Sequence, residues 1–142
     1  MSALNRIEQL LPQEIEKRSF EIIGEELAAH GIVLPKEQEM ITKRVIHTSA
    51  DFEYTKTLTY SQDAVRIAED LICEGADIVT DTNMALAGIN KRALATFGGE
   101  AHCFMADSAV ARLAKERGTT RATVSMEMAA RIDKPVIFAV GN

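Results

Sequence analysis

The C-terminal half of the chain alternates short apolar runs with amphipathic segments of helical length, and this alternation restricts the possible folds more than any other feature. The predicted strands are residues 78–80, 102–105 and 136–140, and the last of these is apolar at every position. A strand of that kind is typical of a parallel sheet buried on both faces. We therefore predict an α/β fold, with a doubly wound, mainly parallel sheet and helices on both faces.

The N-terminal half carries helical patterns. A first helix is predicted to begin at Pro12 and to end at Gly31, because proline favours the first turn of a helix and glycine its end. A second helix is predicted from Pro35 to about His47. Residues 48–60 are rich in Thr, Tyr and Phe, which predicts an extended or looping segment.

Length, charge and cysteine usage restrict the class of protein. A chain of 142 residues fits one ordinary domain, residues 1–142. The net charge is −5 and no block of Lys or Arg occurs, so nucleic acid is not the expected partner. Cys73 and Cys103 fit neither a zinc spacing nor a disulfide framework, and we expect two buried free thiols in a reducing compartment.

A membrane span requires roughly 18 consecutive apolar residues, and no run in the sequence approaches that length. Residues 1–11 mix charges with Leu and Ile, whereas a signal peptide has an unbroken apolar stretch. We therefore expect a cytoplasmic protein with no membrane partner.

The sequence lacks the standard glycine-rich nucleotide motifs and the H-E-x-x-H metal motif, so we expect no metal site. Polar residues instead follow the first predicted strand, in the run Asp81-Thr82-Asn83-Met84. Ligands of doubly wound sheets bind beyond the carboxyl ends of the strands, so this run is a candidate binding segment. A simple helix-capping turn explains it equally well.

Two other candidate residues stand at predicted helix ends. His47 closes an apolar helical stretch, where the helix dipole favours the protonated imidazole and would suit a proton donor. A structural or capping histidine is the more common alternative. Arg121 follows Thr120 at a predicted helix start, where a guanidinium and backbone N–H groups can hold a carboxylate. A plain N-cap beside a solvated arginine is the alternative there.

Five segments, taken in order, resemble the precorrin-8X methylmutase family. They are Ile15–Phe20, Arg44–Thr48, Ile78–Met84, Gly118–Ala122 and Val140–Asn142. The resemblance implies a homodimeric α/β isomerase without a redox cofactor. It implies migration of a methyl group from C11 to C12 of precorrin-8X or cobalt-precorrin-8, which gives hydrogenobyrinic acid or cobyrinic acid.

The resemblance also implies the roles of particular residues. The histidine of the V-I-H segment, His47, corresponds to the catalytic group of the family. The expected substrate-binding residues lie in the same matched segments, and they are Arg18, Ser19, Thr48, Asp81, Thr82, Asn83, Met84 and Arg121. The carboxylates at the rim of a tetrapyrrole would explain the two arginines as anchors.

One departure from the family concerns the end of the chain. Family members continue beyond the glycine and asparagine that match Gly141 and Asn142 into an A-P-T-A-L-type loop and a further helix. We therefore expect this chain to lack the family's C-terminal segment. A non-catalytic tetrapyrrole-binding module or degenerate paralogue is the alternative function, and the sequence does not choose between the metal-free and the cobalt-loaded substrate.

Overall fold

The computed structural model describes residues 12–141, and it divides the chain into two compact units, Met1–Val65 and Arg66–Asn142. The interpretation of residues 1–11 and the resemblance at Asn142 lie outside the described residues. The single domain expected from the length of the chain stays a prediction. Among the described residues, no helix is both long enough and apolar enough to span a membrane.

Within residues 12–65, the N-terminal unit contains the helices α1 (Pro12–Ala29), α2 (Glu39–Ser49) and α3 (Tyr54–Thr57). The predicted helix is confirmed over the described residues from Pro12 onwards, and the chain turns away at Gly31, whose φ of +66° lies in the left-handed region that favours glycine. The helices pack around buried residues Ile23, Leu27 and Ile46, with the partly buried Ile32, Leu34 and Tyr54 against them. This packing fixes which face of α2 is turned outwards.

Helix α2 begins and ends later than predicted. Gln38 N donates a hydrogen bond to Pro35 O at 2.9 Å, so Pro35 opens a turn and the helix starts only at Glu39. At the other end, the hydroxyls of Thr48 and Ser49 donate to carbonyls four residues earlier, at 2.9 and 2.7 Å. The extended or looping segment predicted for residues 48–60 was therefore wrong at Thr48 and Ser49, which belong to α2 and whose hydroxyls bond to its backbone. It was also wrong at Tyr54–Thr57, which form α3.

The C-terminal unit is built on three parallel strands: β1 (Asp77–Thr80), β2 (Ala101–His102) and β3 (Val136–Ala139). Their order in the sheet is β2-β1-β3. The connection from β1 to β2 and the connection from β2 to β3 therefore run in opposite directions across the sheet. Right-handed crossovers place the helices of these two connections on opposite faces, which confirms the doubly wound α/β fold.

Five helices accompany the sheet: α4 (Ala64–Cys73), α5 (Asn83–Gly88), α6 (Lys91–Thr96), α7 (Ser108–Arg117) and α8 (Arg121–Ala129). The side chains of Thr82, Asn90, Asp107 and Thr120 each accept a backbone N–H bond at a helix start. Such caps satisfy N–H groups that have no partner inside the helix. Helices α7 and α8 pack together through the buried residues Val110, Ala114 and Val124.

Three finer predictions for this unit were wrong. Strand β2 has only two residues, rather than the four predicted at 102–105. Phe138 is 50% exposed because β3 lies at the edge of the sheet formed by the described residues, so this run is not buried on both faces. Cys73 is exposed and Cys103 is partly buried, although both are free thiols as predicted.

Gly99, between α6 and β2, is expected to tolerate no side chain. A Cβ atom there would overlap the backbone oxygen of Ala76 and come within 2.9 Å of Leu94 Cδ1. We expect Gly99→Ala to lower the free energy of unfolding by about 1–3 kcal/mol, the usual cost of overpacking, measured by urea denaturation. Gly88→Ala is the matched control, since a Cβ at Gly88 has no neighbour within 4 Å. Equal unfolding midpoints for the two variants would contradict the prediction.

Candidate functional site

The last turn of α2 presents His47 at the surface of the N-terminal unit. Its neighbour Ile46 is only 1% exposed and is held in the core, so the next side chain along the helix is turned outwards. The exposed imidazole lines a cleft of about 380 Å³ together with Ser19, Ile22 and Phe52. A mainly apolar cleft with a few polar groups is typical of a small-molecule site.

A chain of contacts connects His47 to the first helix. The rings of Phe20 and His47 have centroids 5.9 Å apart and meet edge to face at 65°. The guanidinium carbon of Arg44 lies 5.5 Å from the centre of the Phe20 ring. Arg44 Nη2 also forms an ion pair with Glu16 Oε1 at 2.5 Å. These four side chains alternate between α1 and α2.

The other residues predicted for this unit take different positions. Ser19 is partly buried in α1 and lines the same cleft as His47. Arg18 is partly exposed, and its guanidinium is 3.3 Å from Glu21 Oε2. The hydroxyl of Thr48 is used within α2, where it donates to Arg44 O. The structure therefore brings Ser19 and His47 to one cleft, whereas Arg18 and Thr48 do not line it.

In the C-terminal unit, Asp81 and Thr82 directly follow β1. Thr82 caps α5 by accepting a hydrogen bond from Ala85 N at 3.1 Å. Asp81 Oδ1 accepts a hydrogen bond from Gly141 N at 2.7 Å, which holds the segment after β3 beside the segment after β1. A Cβ on Gly141 would come 3.3 Å from Thr82 Oγ1. Two carboxyl strand ends thus meet where doubly wound sheets bind their ligands.

Three more predicted residues are exposed in this unit. Asn83 and Met84 form the first turn of α5, and the Met84 side chain is 84% exposed. Arg121 is the first residue of α8, beside the positive end of that helix. Exposed side chains beside helix N-termini are available to a carboxylate-bearing ligand.

Asp77, buried at the start of β1, is a charged centre that the sequence analysis missed. Its Oδ2 accepts a hydrogen bond from His102 Nε2 at 2.9 Å, and its Oδ1 accepts from Lys134 Nζ at 2.7 Å and from Glu100 N at 2.9 Å. Burial raises the pKa of this carboxyl, but the three hydrogen bonds outweigh burial and lower the pKa to about 2. The sequence indicates this buried carboxylate only through the position of Asp77, an acid immediately before the apolar pair Ile78-Val79.

The position of Asp77 indicates a structural role. It begins its strand, so it lies at the amino end of the sheet, opposite the edge where ligands bind. Its partners come from β2 and from the turn before β3, and so it links all three strands. Within the described residues, no group of three or more His, Cys, Asp or Glu side chains is placed to hold a metal ion.

The fold and these residues define the class of the protein: an α/β unit with polar groups at the carboxyl edge of a doubly wound sheet, in a chain whose helical unit exposes a histidine in a cleft. The family model described as precorrin-8X methylmutase matches residues 14–142. The chain belongs to the precorrin-8X methylmutase family.

Individual relatives agree with this assignment. The chain is 43% identical over 136 residues to a cobalt-precorrin-8 methylmutase of Salmonella typhimurium strain LT2, and it covers 64% of that protein. It is 41% identical over 131 residues to a cobalt-precorrin-8 methylmutase of Priestia megaterium, of which it covers 57%. Each alignment includes 92% of this chain.

A solved structure supports the fold. The precorrin-8x methyl mutase from Thermus thermophilus matches 92% of this chain with a TM-score of 0.77 at 33% sequence identity. The chain covers 62% of that structure, so it spans about three fifths of the length of these relatives.

Proposed function

We propose that this protein is an isomerase of cobalamin biosynthesis that moves a methyl group from C11 to C12 of its corrin precursor. The product is hydrogenobyrinic acid from precorrin-8X or cobyrinic acid from cobalt-precorrin-8. The observation that carries the proposal is the exposed His47 beside Ser19 in one cleft of a chain that belongs to the methylmutase family. The two curated relatives described above are named cobalt-precorrin-8 methylmutases, which favours the cobalt-loaded substrate.

The residue types suit this reaction. The bond from the methyl group to C11 breaks and a bond to C12 forms, so the product is an isomer and neither an oxidant nor a nucleophile is consumed. A proton lent by His47 draws electron density from the macrocycle as the methyl group leaves C11, and it returns to the imidazole after the shift. General-acid assistance of this kind contributes roughly 10²–10⁴-fold to a rate.

Carboxylate recognition is the second part of the proposal. The substrate carries acetate and propionate groups, and Arg18 and Arg121 are the guanidinium groups that would anchor them. Ser19 is the further proposed contact in the N-terminal unit, and Thr82 with the exposed Asn83 and Met84 are the further proposed contacts in the C-terminal unit. Thr48 and Asp81 are already engaged, by Arg44 O and Gly141 N, so their contribution would be to position neighbouring backbone.

The assembly is proposed from the family resemblance. We propose a homodimer, without a redox cofactor, and a cytoplasmic location stays a prediction from the sequence. Sedimentation of the purified protein tests the homodimer directly. A dimer supports the proposed assembly, and a monomer over a wide concentration range contradicts it.

Incubation with cobalt-precorrin-8 and, separately, with precorrin-8X tests the function. Absorption spectra and chromatography of the products distinguish the outcomes. Formation of cobyrinic acid or hydrogenobyrinic acid supports the isomerase. A spectral shift without product supports instead a non-catalytic tetrapyrrole-binding protein. The absence of both signals contradicts both functions.

A further inference from the structure

We infer that Phe20 is a positioning residue for His47, and that Arg44 and Glu16 hold the Phe20 ring in the orientation that this role requires. The inference rests on the proposed function, in which His47 must present its imidazole in one direction to lend a proton. It adds three residues of the N-terminal unit to the proposed machinery, none of which touches the reacting atoms in the proposal.

The ring contact restricts the direction of the imidazole. A centroid separation of 5.9 Å and an angle of 65° lie in the range of favourable edge-to-face aromatic pairs. His47 is exposed, and solvent imposes no preferred side-chain torsion on an exposed ring. The Phe20 ring therefore closes one side of the space that the imidazole can occupy, and it leaves the cleft side open.

Arg44 and Glu16 restrict the Phe20 ring in turn. Arg44 lies 5.5 Å from the ring centre, within the distance of a cation–π contact. It is three residues before His47, and Glu16 is four residues before Phe20, so each pair shares one face of its helix. The ion pair between Arg44 and Glu16 joins the two faces across α1 and α2. The Arg44 guanidinium thus covers one face of the Phe20 ring, while the same ring makes its edge-to-face contact with His47.

A purely structural role for Phe20 is a weaker explanation of these contacts. The buried core of this unit consists of Ile23, Leu27 and Ile46, and Phe20 is only partly buried beside it. A second cleft of about 300 Å³, lined by Phe20, Arg44 and Met40, leaves room on its outer side. A tyrosine at this position keeps the same ring against His47 and adds one hydroxyl to a side chain that borders unfilled space.

Phe20→Leu, Phe20→Tyr and Arg44→Gln test the inference in the whole protein. We expect Phe20→Leu to lower kcat about tenfold, with KM within about twofold of the wild type, and to shift the His47 ring-proton resonances in the NMR spectrum. Phe20→Tyr should have the kcat and the His47 ring-proton resonances of the wild type. Arg44→Gln should lower kcat about threefold, because it removes the cation from the Phe20 ring.

Lys43→Gln is the matched control for Arg44→Gln. It breaks the ion pair of Lys43 with Glu39 at 2.6 Å on the same helix. Lys43 does not line the cleft that Phe20 and Arg44 share, so the variant should leave kcat unchanged. Wild-type kcat and unmoved His47 resonances in Phe20→Leu would overturn the inference. A kcat loss shared equally by Lys43→Gln and Arg44→Gln would overturn the role of Arg44. An inactive wild type would instead overturn the proposed function, and the resonances would still report whether Phe20 holds the imidazole.

Discussion

Replacement of His47 by alanine is expected to lower kcat for the rearrangement of cobalt-precorrin-8 by about 10²–10⁴-fold, because the variant lacks the proposed proton donor. Binding of the pigment should persist, since the cleft walls and the arginines remain. The side chain is exposed and lies outside the buried core, so the fold should be retained. Single-turnover absorption spectra measure the rate, and titration of the same spectra measures the dissociation constant.

His30→Ala is the control for this variant. His30 is also exposed and helix-terminal, with its Nδ1 2.8 Å from Glu26 O, but it does not line the cleft of His47. We expect its kcat and its pigment affinity to equal those of the wild type. Turnover by His47→Ala within about twofold of the His30→Ala rate would exclude His47 as the proton donor. A loss of binding in His47→Ala would assign this residue to recognition.

The parts of the fold that depend on local chemistry could be predicted from the sequence. The ends of α1 and α7 near Gly31 and Gly118, with φ of +66° and +63°, follow from the preference of glycine for the left-handed region. The alternation of helical segments and apolar runs was sufficient to predict the doubly wound sheet. The exposure of Phe138 was not predictable in this way, because an apolar run has the same appearance whether its strand lies at the edge or in the centre of a sheet.

The candidate residues show the same division. Thr82 as a helix cap and His47 in the last turn of α2 are local features, and the structure places both as the sequence indicates. The contact of Phe20 with His47 joins two helices, and the hydrogen bond of Lys134 with Asp77 spans 57 residues of sequence. No periodicity or spacing in one sequence encodes such pairs, since each depends on how separate elements pack.

Asp77→Ala is expected to be among the most destabilising substitutions in the C-terminal unit. The carboxylate is 6% exposed and accepts hydrogen bonds from Lys134, His102 and Glu100 N. Its removal takes an acceptor from all three donors, of which Lys134 keeps its second bond, to Gly98 O at 2.8 Å. Lys134 is 39% exposed and stays hydrated, so the loss is that of hydrogen bonds to a charged group, about 2–3 kcal/mol of unfolding free energy. Urea denaturation near neutral pH measures this loss. Asp70→Ala is the control, because the pair of Asp70 with Arg66 is exposed and should contribute at most about 1 kcal/mol.

The same carboxylate predicts how stability depends on pH. Burial opposes ionisation of Asp77, but the hydrogen bonds from Lys134, His102 and Glu100 N prevail and lower its pKa from 3.8 to about 2 in the folded protein. A group whose pKa is lower when folded stabilises the protein above its unfolded pKa, and this contribution disappears as the pH falls through the folded value. The shift corresponds to about 2 kcal/mol, present above about pH 4 and lost by about pH 2. The difference in unfolding free energy between the wild type and Asp77→Ala should therefore shrink by about 2 kcal/mol as the pH falls from about 4 to about 2. A difference that stays constant over this pH range would show that the ionised carboxylate does not join the three strands.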